Sequence, residues 1–200
     1  MPCGWMVVSK QYGQRLLYNA QAVCMSQPYD NFNAYSNGIA LVYKNGLCGL
    51  INMQGEELVP VQYEKFRIYR FEQIHPSGMI TATLDGKTFG VIDTRHRTLY
   101  SFTAEQLGKW TKSGLLPVRF AKKWALIRFP AGDIVFPFGE YEYIETYDPE
   151  KDLFIVSKNK LQGLINLKKK VLLPLEYKHI SQYDHVTTQL IDAQDKIGFC

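Results

Sequence analysis

The sequence predicts an all-β protein built from short antiparallel strands in a repeat architecture, propeller-like, with an open β-solenoid or array as the alternative. Three observations predict it. One phrase recurs as Gly49-Leu50-Ile51-Asn52, Gly90-Val91-Ile92-Asp93, Ala125-Leu126-Ile127-Arg128 and Gly163-Leu164-Ile165-Asn166, ending in the stub Gly198-Phe199-Cys200, at spacings of 41, 35, 38 and 35 residues. Further phrases drift in step with it, as only a true internal repeat does. Its apolar residues come as adjacent pairs, so both faces of that strand need cover, as in stacked sheets.

The second phrase is Glu57-Leu58-Val59-Pro60, then Ile134-Val135-Phe136-Pro137 and Val171-Leu172-Leu173-Pro174, followed by Tyr63, Tyr141 and Tyr177. One copy departs, reading Arg97-Thr98-Leu99-Tyr100. Proline there fits a strand end or an edge, because it cannot donate to a ladder. The third phrase opens with Ser-Gly or an equivalent: Ser36-Asn37-Gly38, Ser77-Gly78, Ser113-Gly114, with Asp152–Val156 and Val186–Ile191 in the same slot. Gln54-Gly55, Arg95-His96, Ala131-Gly132 and Lys168-Lys169 mark turns between the first two phrases, and Asn45-Gly46 and Asp85-Gly86 mark hairpins. Counted from the first phrase, one repeat domain spans 1–200, with repeats at about 4–47, 48–88, 89–123, 124–161 and 162–196 and a stub at 197–200. The weak first copy starts at Gly4-Trp5-Met6-Val7. The stub either pairs beside Trp5–Val8 or presents an edge.

These residues resemble the WG (KWG) repeat family of bacterial proteins. Cys48 to Pro60, followed by Tyr63, carries one half of the pattern. Tyr29-Asp30-Asn31-Phe32 and Tyr35 to Val42 carry the other. The signature tryptophan is Cys48, Phe89 and Gln162 in three copies, while Trp124 keeps it but is followed by Ala125. The resemblance implies a β-repeat scaffold and names no activity.

Composition fits this reading. Of 200 residues 46% are hydrophobic and 14% aromatic, which suits a packed β protein, and a net charge of +4 is too mild to indicate a nucleic-acid protein. No apolar run is long enough to span a membrane and no secretory signal is visible, so the expected compartment is the cytoplasm. Cys3, Cys24, Cys48 and Cys200 are too scattered for a disulfide framework.

Catalytic chemistry finds little footing. His179 and His185 lack further ligands at metal spacing, so no metal is expected. No nucleophile elbow and no phosphate-cradling glycine loop is present, so neither a catalytic residue nor a cofactor is assigned. Glu140, Glu142, Glu145, Asp148, Glu150 and Asp152 form the densest acidic cluster and read as a solvated loop. Lys168-Lys169-Lys170, Lys122-Lys123 and Arg95-His96-Arg97 read as turns charged for solubility, with phosphate-backbone contact the weaker reading. Two stretches interrupt the repeat, residues 18–28 and 100–112. In the second, Thr103 to Gly108 reads as a capped helical turn. The expected function is a non-catalytic binding or scaffold module that engages a protein or peptide partner through loops. A carbohydrate or small-ligand site, with Trp110 as the exposed stacking residue, is the alternative. Weak nucleic-acid binding through basic turns comes after it. The binding residues themselves are unknown at this stage.

Overall fold

The computed structural model describes residues 5–10, 13–19, 21–36, 38–66, 75, 77–83, 85, 87–182 and 187–199. Cys3, Gly4, Asn37, Gly86, His185, Val186 and Cys200, all invoked above, lie outside the described residues.

Two compact units, residues 1–102 and 103–200, divide the chain. In the first, β1 (Trp5–Ser9) and β2 (Arg15–Asn19) form sheet I. Sheet II is β3 (Asn31–Ser36), β4 (Ile39–Lys44), β5 (Leu47–Asn52) and β6 (Glu57–Tyr63). Sheet III is β7 (Lys65–Phe66), β8 (Ile80–Thr83), β9 (Thr88–Ile92) and β10 (Thr98–Thr103). In the second unit, sheet IV is β11 (Gln106–Leu107), β12 (Leu115–Phe120), β13 (Lys123–Arg128) and β14 (Asp133–Phe136). Sheet V is β15 (Tyr143–Asp148), β16 (Leu153–Lys158), β17 (Leu161–Asn166) and β18 (Val171–Tyr177). Sheet VI is β19 (His179–Gln182), β20 (Thr188–Ile191) and β21 (Ile197–Phe199). Each sheet is an antiparallel meander of neighbours in sequence.

The phrases acquire fixed places. In the four-stranded sheets the Ser-Gly phrase leads into the second strand, the Gly-Leu-Ile phrase is the third, and the Leu-Val-Pro phrase is the outer fourth. Within each unit the sheets stack face to face. On β4, Ala40 and Val42 pack toward sheet I while Leu41 packs toward sheet III. On β5, Leu50 and Ile51 divide in the same way. In the second unit, Phe154 and Val156 of β16 meet sheet IV, and Ile155 meets sheet VI. The adjacent apolar pairs are thus buried on both faces, which is what stacking requires.

The third-to-fourth turns share one design. Asn52 Oδ1 accepts the amides of Gln54 and Glu56 at 2.9 Å each, and its own amide donates to the Glu56 carbonyl at 3.0 Å. Asp93 does this for Arg95 and Arg97, and Asn166 for Lys168 and Lys170. Position four of each turn is left-handed: Gly55 at φ 78°, His96 at 60° and Lys169 at 59°. The short side-chain acceptor replaces a backbone turn, which is why Asn or Asp closes the phrase. The fourth copy has Arg128 and turns instead through a cis Phe129-Pro130 bond and Gly132.

Asp93 carries a pH dependence that the asparagines do not. Burial alone raises its carboxyl, but the amides of Arg97 and Arg95 and the Arg97 guanidinium together hold it below the ordinary 3.8. A depressed carboxyl adds stability above its unfolded value and loses it as pH falls through the folded one. Asp93→Asn is expected to keep the turn, as Asn52 and Asn166 do, and to flatten the loss of stability below about pH 4. Urea melts at several pH values check this.

The same turn exposes a copy hidden in the sequence. Asn19 Oδ1 accepts the amides of Gln21 (3.0 Å) and Val23 (2.9 Å), and Ala22 takes the left-handed position at φ 58°. Arg15 bridges Tyr29 as Cys48 pairs with Tyr63 and Gln162 with Tyr177. Arg15 to Asn19 is therefore a third strand, and residues 23–29 are a distorted fourth strand against it. This corrects the placement of the first copy's leading phrase at Gly4-Trp5-Met6-Val7, because Trp5–Ser9 sits in the second-strand place. It also gives the interruption at 18–28 a turn and an outer strand.

The other interruption resolves too. Thr103 ends β10, and Gln106 and Leu107 pair with Arg119 and Val118, so there is no helical turn between Thr103 and Gly108. Ala104, buried, occupies the tyrosine place, and Leu107 stands three residues on, as Phe32 stands after Tyr29 and Ile144 after Tyr141. The residue after this place always donates its amide to the end of the second strand. The pairs are Asp30 to Tyr43, Glu64 to Thr83, Glu105 to Arg119, Glu142 to Ser157 and Lys178 to Ile191.

Glycine in the third strand answers to the fourth. β6 bulges at Pro60, bringing its backbone over Gly49. A Cβ there would lie 2.6 Å from the Val59 carbonyl oxygen and 2.8 Å from the Val61 amide nitrogen. At Gly90 the nearest atom would be at 3.7 Å, an ordinary contact. Gly49→Ala is expected to cost about 2 kcal/mol and Gly90→Ala less than about 0.5 kcal/mol. Urea denaturation of the two variants checks the contrast.

Candidate functional site

The polar side chains singled out from the sequence are mostly occupied in holding the repeats. The tyrosine place is fastened to the third-to-fourth turn of the following sheet. Tyr29 donates to Glu57 Oε1 at 3.2 Å, beside Gln27 Nε2 at 2.7 Å. The Tyr63 hydroxyl lies 2.7 Å from His96 Nε2, with Gln62 Nε2 at 3.3 Å. Glu140 pairs with Lys169 at 2.5 Å, and the Lys169 ammonium lies over the Phe136 ring. Burial first, and then the Glu57 charge, push the Tyr29 phenol up to about 12 against an opposing hydrogen bond from Gln27. The Tyr143 phenol, buried and beside Glu145, also rises to about 12. Both therefore stay protonated at neutral pH.

The acidic cluster is not one solvated loop. Glu145 lies on β15 and accepts the Tyr143 hydroxyl at 2.9 Å. Glu142 accepts the amides of Asn159 and Lys160. Asp148 caps Glu150 and Lys151, Glu150 pairs with Lys112, and Asp152 accepts from Ser113. Cys48 is buried with Sγ 3.2 Å from the Tyr63 carbonyl, so the small filler of the tryptophan place is part of the core. His179 is exposed, and among the described residues no group of three His, Cys, Asp or Glu stands together.

Trp110 is corrected as a stacking candidate. It is only 6% exposed and meets Phe129 edge-on at a centroid distance of 5.6 Å, so its faces belong to the core. Trp124, also buried, stands edge-on to Tyr143 and closes the joint between sheets IV and V. A groove of about 200 Å³ beside β20 and β21 is lined by Tyr177, Leu190, Ile197 and Gly198. Its carboxylate, Asp192, is taken by the amides of Gln194 and Lys196.

One rim of the second unit carries exposed lysines beside exposed phenylalanines. At the end of sheets IV and V that carries the second-to-third hairpins, Ala121-Lys122 and Asn159-Lys160 turn through consecutive left-handed residues, with φ 48° and 62°, then 53° and 64°. The hairpins twist as two-residue loops must. Glu105 caps the first and Glu142 the second through backbone amides. Lys122, Lys123, Lys158 and Lys160 are all exposed, and their ammonium groups make no ion pair among the described residues. Phe120, 47% exposed, pairs across the hairpin with Lys123. Gly139 lies against the Lys123 stem, which places its neighbour Phe138, 38% exposed, on the same rim. Three residues on, Glu142 reaches the Lys160 turn, so the rim is continuous from sheet IV to sheet V. Sequence reading found Lys122 and Lys123 but not Lys158, Lys160, Phe120 or Phe138. For Lys160 the available signal was its place in the second-to-third turn, the same as that of Lys122.

Among solved structures the chain is similar to Kluyveromyces lactis Hsv2, at 7% identity and a TM-score of 0.52 over 98% of this chain and 70% of that one. It is similar to BamB from Moraxella catarrhalis, at 9% identity and a TM-score of 0.50 over 100% of this chain and 67% of that one. It is also similar to a eukaryotic initiation factor, at 8% identity and a TM-score of 0.60 over 98% of this chain and 60% of that one. These are propeller-like proteins, and the likeness is one of fold. No curated relative matches the sequence. No helix among the described residues is long and apolar enough to cross a membrane. Residues 49–87, from the third strand of sheet II to the second-to-third turn of sheet III, match the model of the WG containing repeat, so this all-β, propeller-like chain carries a WG repeat.

Proposed function

We propose that the protein is a non-catalytic binding module that engages a protein or peptide partner through the rims of its stacked sheets. The observation that carries this reading is the division of labour among its polar side chains. Those at repeat positions cap turns and fasten sheets, while lysines and phenylalanines at one rim stand exposed on a rigid support. Such a surface recognises a partner by complementarity and needs no reacting group. The carbohydrate alternative asks for an exposed tryptophan or tyrosine beside paired polar groups, and its candidate, Trp110, is buried. No observation favours an enzyme. The expected compartment, the cytoplasm, belongs to the same reading.

Panning a phage-displayed peptide library on the immobilised chain, beside a glycan array, tests it. An enriched peptide consensus, with a silent glycan array, supports the reading. Glycan binding with no peptide enrichment overturns it.

A further inference from the structure

We infer that the rim formed by Phe120, Lys122, Lys123, Phe138, Lys158 and Lys160 docks an extended, acidic segment of a partner protein, with carboxylates over the lysines and apolar side chains against the two phenylalanines. This rests on the reading above that the protein is a peptide-binding module, and it names the place and the chemistry of the partner.

Charge complementarity is the first argument. The lysines come two per hairpin in neighbouring sheets, Lys122 and Lys160 at the same turn position and Lys123 and Lys158 on the flanking strand ends, and such sheets stack about 10 Å apart. An extended chain rises about 3.3 Å per residue, so acids a few residues apart reach both hairpins. Phe120 and Phe138 lie at the sheet IV end of this track and give the apolar anchor that lysines lack.

Pattern is the second argument, and it separates a peptide from a nucleic acid. Glu105 and Glu142 stand at the same rim, each turned to the backbone amides of its hairpin. A phosphate backbone carries charge at every step and must pass those carboxylates. A peptide sets neutral residues over them and acids over the lysines. Rejection of the uniformly charged polymer then follows from like-charge repulsion.

The test is fluorescence anisotropy on the full chain. The probe is a labelled peptide with two Asp-Glu pairs separated by Leu-Ser-Leu. Its comparators are a scramble with the acids contiguous and an oligo-dT of equal length. Lys123→Gln with Lys158→Gln leaves the left-handed Lys122 and Lys160 in place, and is expected to weaken the patterned peptide roughly tenfold. Phe120→Ala is expected to weaken it roughly fivefold. Lys168→Gln with Lys170→Gln removes equal charge from the opposite end of sheet V and is expected to change binding by less than about twofold. Thermal melts confirm that each variant is folded. Equal loss in the Lys168 and Lys170 pair, or tighter binding of oligo-dT than of the patterned peptide, overturns the proposal. A library consensus without acids, unaffected by the Lys123 and Lys158 pair, overturns the docking site while leaving the binding module standing. No peptide enrichment at all removes the module reading itself.

Discussion

Gly55→Ala is expected to destabilise the first unit by about 3–5 kcal/mol, whereas Gly46→Ala costs about 1 kcal/mol. Both glycines have φ 78°, so both lose the same conformational freedom when a Cβ is added. They differ in what the Cβ meets. At Gly46 there is nothing within 4 Å. At Gly55 the Cβ would fall 1.5 Å from the Met25 carbonyl oxygen, so backbone must move. Met25 lies in the distorted outer strand and donates its amide to Leu17, so displacing it pulls on β2 as well. Urea denaturation of the two variants separates strain from collision. Equal midpoints would mean that residues 23–29 do not lie against the turn after β5.

Phe154→Ala is expected to cost the second unit about 3–5 kcal/mol, while Phe120→Ala stays within about 0.5 kcal/mol of the native stability. Phe154 is fully buried between sheets IV and V and packs edge-on to Phe136 at 5.8 Å. Truncating it leaves a cavity among Leu126, Ile144, Val156 and Ile165, which are themselves core. Phe120 ends β12 with about half its surface in water. The two variants therefore divide stability from binding. Phe154→Ala lowers the melting temperature, and Phe120→Ala keeps it while weakening the patterned peptide. Thermal unfolding and anisotropy on the same samples check both.

The repeat was legible wherever its phrase kept both glycine and an Asn or Asp. Gly49 to Asn52 and Gly163 to Asn166 fall on third strands because each residue type has a local duty there. Where other residues stand in those places the phrase weakens, and only the apolar pair and the spacing mark Ala125 to Arg128. Arg15 to Asn19 keeps only Asn19, with Leu16 in the glycine place. Ala104 hides a tyrosine joint in the same way, and Thr103 with Gly108 then mimics helix punctuation. Trp110 looked like a stacking residue because it lies outside the phrases, but its burial depends on Phe129, which sequence spacing does not bring near it. Turn lysines were read as solubilising charge. Which of them are paired, as Lys169 is with Glu140, and which are left exposed is decided by packing between sheets, and no local pattern encodes it.

The measurement that tests the central claim most directly is a urea titration of Asn19→Ala beside Asn52→Ala. The claim is that one turn design, repeated from sheet to sheet, sets the architecture, including the copy at Arg15 to Asn19. Each alanine removes a side-chain acceptor of two turn amides, so both variants are predicted to lose about 1 kcal/mol. A clear loss in Asn52→Ala with native stability in Asn19→Ala would contradict it, and would return residues 15–29 to an irregular segment outside the repeat.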